Sequence, residues 1–168
     1  MTSALLQAAI MCGFIVLQTV VFPNGVVRGA VPDVALIILC FASNHQGSFR
    51  GELSGFASGL LLDSIRLAPL GFHAFIRAII GFLFGVFRGK LFVDPVFVPV
   101  VMLLVATTIQ ALIAYLLASI FAPELAATIF SDRFALELGM NAILAPFFFA
   151  LMKAVGMIRP GAERVGYE

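Results

Sequence analysis

The residues of this chain whose types could form a charged site are Asp33, Asp63, Arg66, His73 and Arg77. His73 and Arg77 are four residues apart, so on a helix they share one face. Arg77 lies about 10 Å inside an apolar predicted helix, where a charge costs several kcal/mol unless it is paired or hydrated. Asp63 and Asp33 are its two candidate partners. Two interpretations stay open for the five residues: a buried ion pair that closes a helix bundle, and a solvated or partner-binding pocket.

A second polar pair, Glu137 and Asn141, is also spaced by four residues in an apolar stretch. The same spacing argument puts both side chains on one inward-facing helix surface. Polar side chains buried between membrane helices are usually hydrogen-bonded to a neighbouring helix. We therefore expect interhelical hydrogen bonds from this pair.

The remaining candidates for catalysis do not form a recognisable set. His45 and His73 are the only histidines, and the chain has no HExxH pair. Residues 88–91 lack the glycine spacing and the hydroxyl of a phosphate-binding loop. Cys12 and Cys40 lie in apolar segments, outside any CxxC or Cys/His grouping. The sequence therefore predicts no enzyme, no metal site and no cofactor.

Glycine recurs at every fourth position in two apolar stretches. On a helix this spacing leaves a groove in which another backbone can make van der Waals contact. Each glycine costs about 1 kcal/mol of helix stability relative to alanine, so such runs are typical of tightly packed membrane helices. The packing partner is either another helix of this chain or another protein. The glycines are Gly47, Gly51, Gly55, Gly59, Gly81, Gly85 and Gly89.

The composition indicates the medium in which these residues lie. Hydrophobic residues make up 62% of the chain and charged residues 11%, against roughly 25% charged in an ordinary soluble domain. The mean hydropathy is +1.12. A net charge of +1 without a basic run argues against nucleic acid as a partner. The chain is thus predicted to be an integral membrane protein in contact with lipid.

The elements that must position the polar residues are six predicted membrane helices in a single transmembrane domain, residues 1–168. The second and third helices are short. About 12 residues reach only some 18 Å, against a hydrocarbon core of roughly 30 Å, so these two form either full spans or a re-entrant hairpin. The first span has no signal-peptide cleavage pattern and is expected to be retained. The predicted spans are 4–22, 32–43, 49–62, 70–87, 95–121 and 134–157.

The distribution of basic residues predicts the orientation of this all-α, six-helix bundle. Cytoplasmic segments carry more Lys and Arg than outer ones. With both termini in the cytoplasm, the inner segments carry Arg50, Arg88, Lys90, Lys153, Arg159 and Arg164. The outer segments then carry Arg28, Arg66 and Arg133. This asymmetry favours cytoplasmic termini and puts the five charged-site residues at the outer end.

Three short motifs resemble a known family. Residues 59–63 read Gly-Leu-Leu-Leu-Asp and residues 69–71 read Pro-Leu-Gly, and the earlier stretch 32–38 opens with Pro-Asp before a hydrophobic run. In this respect the chain resembles the bacterial rod shape-determining membrane protein MreD family. The resemblance covers the whole chain in length and span pattern, with its specific residues between Pro32 and Ala74.

The resemblance implies a non-enzymatic component of the cell-elongation and peptidoglycan-synthesis complex in the inner membrane. It implies MreC as the direct partner, with RodA, a penicillin-binding transpeptidase and MreB filaments in the wider complex. It also implies a fold similar to the substrate-binding subunits of energy-coupling-factor transporters, with an outward-facing pocket. The alternative function is a substrate-binding membrane subunit of a vitamin-type transporter. A scaffold should be encoded beside MreC, whereas a carrier should retain a small molecule through purification.

Cysteines introduced at Asn24, Glu124 and Gly161 test the orientation. The first two lie in predicted outer segments and should react with a membrane-impermeant thiol reagent in intact cells. The third follows the last predicted span and should react only after the membrane is permeabilised. Labelling of the Gly161 variant in intact cells would show that the predicted orientation is inverted.

Overall fold

The computed structural model describes residues 10, 11, 13–16, 29–66, 69–88 and 96–154, without the side chain of Arg66. The regular elements in these ranges are helices, and the described residues include no β-strand. Residues 10, 11 and 13–16 are helical and belong to the predicted span 4–22, whose other residues lie outside the description. The complete helices are α1 (Val34–Gln46), α2 (Ser48–Arg66), α3 (Phe72–Val86), α4 (Phe97–Phe121), α5 (Pro123–Ile129) and α6 (Asp132–Ala154).

Two helices differ from the sequence prediction. The third predicted span, 49–62, was expected to be short, but α2 has 19 residues and reaches about 28 Å. That prediction was wrong because polar residues at the ends of α2, such as Ser48, Asp63 and Ser64, are helical although they lie outside the apolar run. Helix α5 was not predicted, and it begins with proline at its first position, a favoured location. By contrast, α1 is short, with 13 residues.

Helix α1 lies in the centre of the molecule. Its first turn is capped by Asp33, whose Oδ1 accepts a hydrogen bond from the Leu36 backbone N–H at 3.0 Å. All residues from Val34 to Asn44 are buried, and the helix packs against α2, α3, α4 and α6. Because its neighbours surround it, α1 supplies much of the apolar core. Phe41, for example, meets Phe149 of α6 with ring centroids 4.8 Å apart.

Helices α2 and α3 cross with their backbones in contact. A Cβ added at Gly51 would overlap the carbonyl oxygen of Gly81, and one added at Gly55 would overlap that of Arg77. At Gly59 the added atom would overlap the backbone of α3 where that helix begins. Only glycine permits an approach this close, which explains the spacing in physical terms. At these positions the groove is occupied by a helix of the same chain.

Gly47 differs from the glycines of the helix crossing. Gly47 precedes α2 and ends α1 with a φ of 94°, a left-handed conformation that glycine adopts at little cost. The Arg88 side chain packs over it, since a Cβ at Gly47 would lie 3.5 Å from Arg88 Cδ. Gly85 does belong to the crossing and faces the backbone of Ser48. Gly89 lies outside the described residues.

Helices α4 and α6 are long and apolar enough to cross a membrane, with 25 and 23 residues. They pack against each other, yet each exposes large apolar side chains such as Leu116 on α4 and Phe147 on α6. Exposed apolar surface of this kind suits contact with lipid. Helix α6 continues through Pro146.

Substitution of Gly55 tests the α2–α3 contact. Even Gly55→Ala should destabilise the protein because its Cβ overlaps a backbone atom, and Gly55→Leu should cost at least about 1 to 3 kcal/mol. Gly139 on α6 is the matched control, since an added Cβ there meets open space. Gly139→Ala should be neutral or stabilising by up to about 1 kcal/mol. Loss of helical circular dichroism during denaturant titration measures both, and equal stability of the two alanine variants would contradict the contact.

Candidate functional site

The buried charge of Arg77 is neutralised by Asp33. The Arg77 Nη2 atom lies 2.8 Å from both carboxylate oxygens, and the two side chains are 3% and 16% exposed. The sequence left Asp63 and Asp33 open as partners, and the structure selects Asp33. Because Asp33 stands at the start of α1 and Arg77 one turn inside α3, the pair joins the two helices.

Two further helices are hydrogen-bonded to Asp33. Its backbone N–H donates to Asn141 Oδ1 on α6 at 2.8 Å, and Asn141 Nδ2 donates to the Thr107 hydroxyl oxygen on α4 at 3.1 Å. Gln110 Nε2 lies 3.5 Å from Asp33 Oδ2, at the limit of a hydrogen bond. The interhelical bonding expected of Asn141 is thus confirmed. Asp33, Arg77, Asn141, Thr107 and Gln110 form one polar network within α1, α3, α4 and α6.

Asp63 was a candidate partner of Arg77, but it binds the start of α3 instead. Its side chain is 0% exposed and accepts hydrogen bonds from the backbone N–H groups of Gly71, His73 and Ala74 at 2.9, 2.9 and 3.2 Å. The His73 Nδ1 atom is 2.6 Å away. Helix α3 has no side-chain cap of its own at Gly71. Asp63 therefore supplies from α2 the acceptors that the first turn of α3 requires.

The structure places four of the five predicted site residues in two pairs. Asp33 pairs with Arg77, Asp63 pairs with His73, and the side chain of Arg66 lies outside the described set. Sequence analysis missed Thr107 and Gln110, although polar residues inside the long apolar stretch 97–121 were an available signal. No group of three or more His, Cys, Asp or Glu among the described residues could hold a metal ion.

Three cavities lined by described residues surround this framework. One of about 330 Å³ between α3 and α4 is lined by apolar residues. A second, about 510 Å³, lies between the α2–α3 turn and the junction of α4 with α5, and His73 is its one ionisable lining residue; we term it the outer groove. The third, about 210 Å³, lies between α4, α5 and α6, and we term it the polar cavity. Its polar lining residues are Thr107, Gln110, Thr128, Ser131, Arg133 and Glu137.

Comparison with known proteins identifies the family of this helical protein. A family model described as rod shape-determining protein MreD matches residues 2–155. The chain belongs to the MreD family. The match includes the Asp33–Arg77 ion pair, the Asp63–His73 contact and all six complete helices. Neither the curated proteins nor the solved structures contain a match to the chain. Membership of the MreD family implies a membrane protein with a role in rod shape determination, in a family not known as enzymatic.

A double-mutant cycle on Asp33→Asn and Arg77→Gln tests the ion pair. Each single change leaves a buried partner without its counter-charge and should lower the free energy of unfolding by about 3 to 5 kcal/mol. The double change should lower it by clearly less than the sum of the two single changes. The free energy of unfolding in detergent is the measurement. Asp63→Asn combined with Arg77→Gln is the comparison cycle, and it should be close to additive because Asp63 bonds to His73 and the start of α3 instead. Additivity in the Asp33 cycle would contradict the pairing.

Proposed function

We propose that this MreD-family chain is a non-enzymatic scaffold of the cell-elongation complex and that it acts by binding MreC. The family match carries the proposal, since it ties the chain to rod shape. The proposed setting is the inner membrane, with a single transmembrane domain of six spans and both termini in the cytoplasm. RodA, a penicillin-binding transpeptidase and MreB filaments would belong to the same complex, beyond the direct partner.

The outer groove is the surface that suits MreC best. In the proposed orientation it opens at the outer end of the bundle, where the α2–α3 turn meets the end of α4. Its rim exposes Leu70, Phe75 and Phe121, of which Phe121 is 78% exposed. A single-span protein with a periplasmic body offers an apolar helix and an adjoining polar segment at the same depth. Such a partner could cover this apolar rim and meet His73 within the groove.

The glycine contacts agree with a partner surface that lies away from the α2–α3 crossing. In the described part of the chain, Gly51, Gly55 and Gly59 face α3, which leaves other surfaces for a partner. A bundle resembling energy-coupling-factor substrate-binding subunits remains part of the proposal through the family resemblance alone. A vitamin-type carrier is the alternative, and the shape-determining family favours the scaffold over it.

Co-purification with MreC from native membranes tests the proposal. Phe121→Ser should reduce MreC recovery several-fold at matched expression, because a hot-spot side chain is worth about 1 to 2 kcal/mol or more. Ile143→Ser is the control, since Ile143 on α6 is equally exposed, at 76%, and lines none of the three cavities.

Depletion of the protein in its rod-shaped host provides the cellular measurement. Round cells are expected, with rescue by the wild-type chain and by Ile143→Ser. The carrier would be favoured if depleted cells stay rod-shaped. It would also be favoured if the purified protein does not bind MreC and retains a vitamin-like molecule.

A further inference from the structure

Two buried polar atoms beside the ion pair have no hydrogen-bond partner among the described residues. They are Arg77 Nη1 and Gln110 Oε1. Arg77 contacts Asp33 through its other terminal nitrogen, Nη2, and Gln110 directs its Nε2 to the same carboxylate. Buried polar atoms in folded proteins nearly always have a partner, which is either a protein group or an ordered water. These two atoms therefore indicate a bound polar molecule.

Both side chains converge on one oxygen of Asp33. Arg77 Nη2 lies 2.8 Å from Asp33 Oδ2, and Gln110 Nε2 lies 3.5 Å from it. Nη1 shares the guanidinium carbon with Nη2, and Oε1 shares the amide carbon with Nε2, so both atoms without a partner lie near this oxygen. Nη1 is a hydrogen-bond donor, whereas Oε1 is an acceptor. A bound molecule must therefore accept at one side and donate at the other.

The surrounding charges limit the chemistry of that molecule. An anion near Arg77 Nη1 would be repelled by the Asp33 carboxylate, and a cation near Gln110 Oε1 would be repelled by the Arg77 guanidinium. Water accepts from Nη1, donates to Oε1 and adds no charge. Buried waters in proteins typically make about three hydrogen bonds to such polar groups. Water is therefore the molecule that fits these two atoms.

The polar cavity gives water a route to Gln110. Thr128, Ser131 and Arg133 line the cavity and are exposed, so it opens to the surface. Gln110 lines the same cavity, about 16 Å along α4 from the end of that helix at Phe121. This depth is about half of a hydrocarbon core of roughly 30 Å. The cavity thus connects the surface with the side of the ion pair that holds Gln110.

From these observations we propose that the polar cavity is filled with water as far as Gln110, and that a water molecule is bound between Gln110 Oε1 and Arg77 Nη1. The Asp33–Arg77 pair is then hydrated, although it lies in an apolar bundle. Hydration lowers the cost of keeping both charges away from bulk solvent. This water site goes beyond the proposed scaffold function and depends neither on MreC nor on the orientation of the chain.

Cysteine accessibility tests whether water reaches this depth. Ala111 and Ala114 line the polar cavity, whereas Leu112 is 50% exposed on α4 and lines none of the three cavities. Each is replaced by cysteine in the full-length chain in lipid nanodiscs, with Cys12 and Cys40 replaced by alanine. Only the thiolate reacts with aminoethyl methanethiosulfonate, and apolar surroundings suppress the thiolate. Ala111→Cys and Ala114→Cys should therefore react at least about tenfold faster than Leu112→Cys.

The position of the reactive cysteines decides the result, which mass spectrometry of the labelled protein measures. Reaction of Ala114→Cys alone would show that water stops short of the ion pair, and reaction of neither cavity variant would show a dry cavity. Either outcome overturns the proposal, as would equal rates for Leu112→Cys and the two cavity variants. Circular dichroism shows that each variant is folded.

Substitution of Gln110 tests the bound water itself and needs no added cysteine. Methionine has a similar length but lacks the amide acceptor. If water is bound, Gln110→Met removes one of its partners and should lower the denaturant midpoint of unfolding. If Oε1 has no partner at all, its removal should leave the midpoint unchanged or raise it. The Nε2 contact with Asp33 is at the limit of a hydrogen bond and contributes little, so a midpoint equal to or above that of wild type overturns the bound water.

Discussion

Neutralisation of the Arg77 guanidinium by Asp33 is the interaction on which the arrangement of the helices depends. A charge removed from water must meet a counter-charge and further hydrogen-bonding groups, or it destabilises the fold by several kcal/mol. Asp33 supplies the counter-charge while it also caps α1 and donates its backbone N–H to Asn141. One residue thereby fixes the start of α1 relative to α3 and α6.

The close crossing of α2 and α3 makes the contact between Asp63 and the start of α3 possible. Gly59 lies one turn before Asp63, and its missing side chain lets the first turn of α3 approach α2. The backbone N–H groups of His73 and Ala74 then come within hydrogen-bonding distance of the Asp63 carboxylate. Glycine spacing and carboxylate capping are therefore parts of one helix–helix contact. Larger side chains at the glycines would separate the carboxylate from the groups that it binds.

The sequence predicted the helical class, the membrane setting and the family, because composition and short motifs carry that information. It could not choose between Asp33 and Asp63 as partner of Arg77, since both precede Arg77 at helix ends and only the packing of α1 decides. The hydropathy pattern predicted a helix shorter than α2, because the ends of α2 are helical but polar. It did not predict α5, which is too short to leave a periodic signal. The polar cavity escaped detection because its residues come from α4, α5 and α6, and their proximity arises only in the folded chain.

The burial of α1 from Val34 to Asn44 has a consequence for biogenesis. Asp33 is separated from Arg77 by 44 residues and from Asn141 by 108. A ribosome adds about 5 to 20 residues per second, so Asn141 is made roughly 5 to 20 s after Asp33. During that interval α1 cannot have its final neighbours, and its polar start must stay at the membrane surface or in the insertion machinery. The environment of the central helix of the mature bundle therefore changes during synthesis.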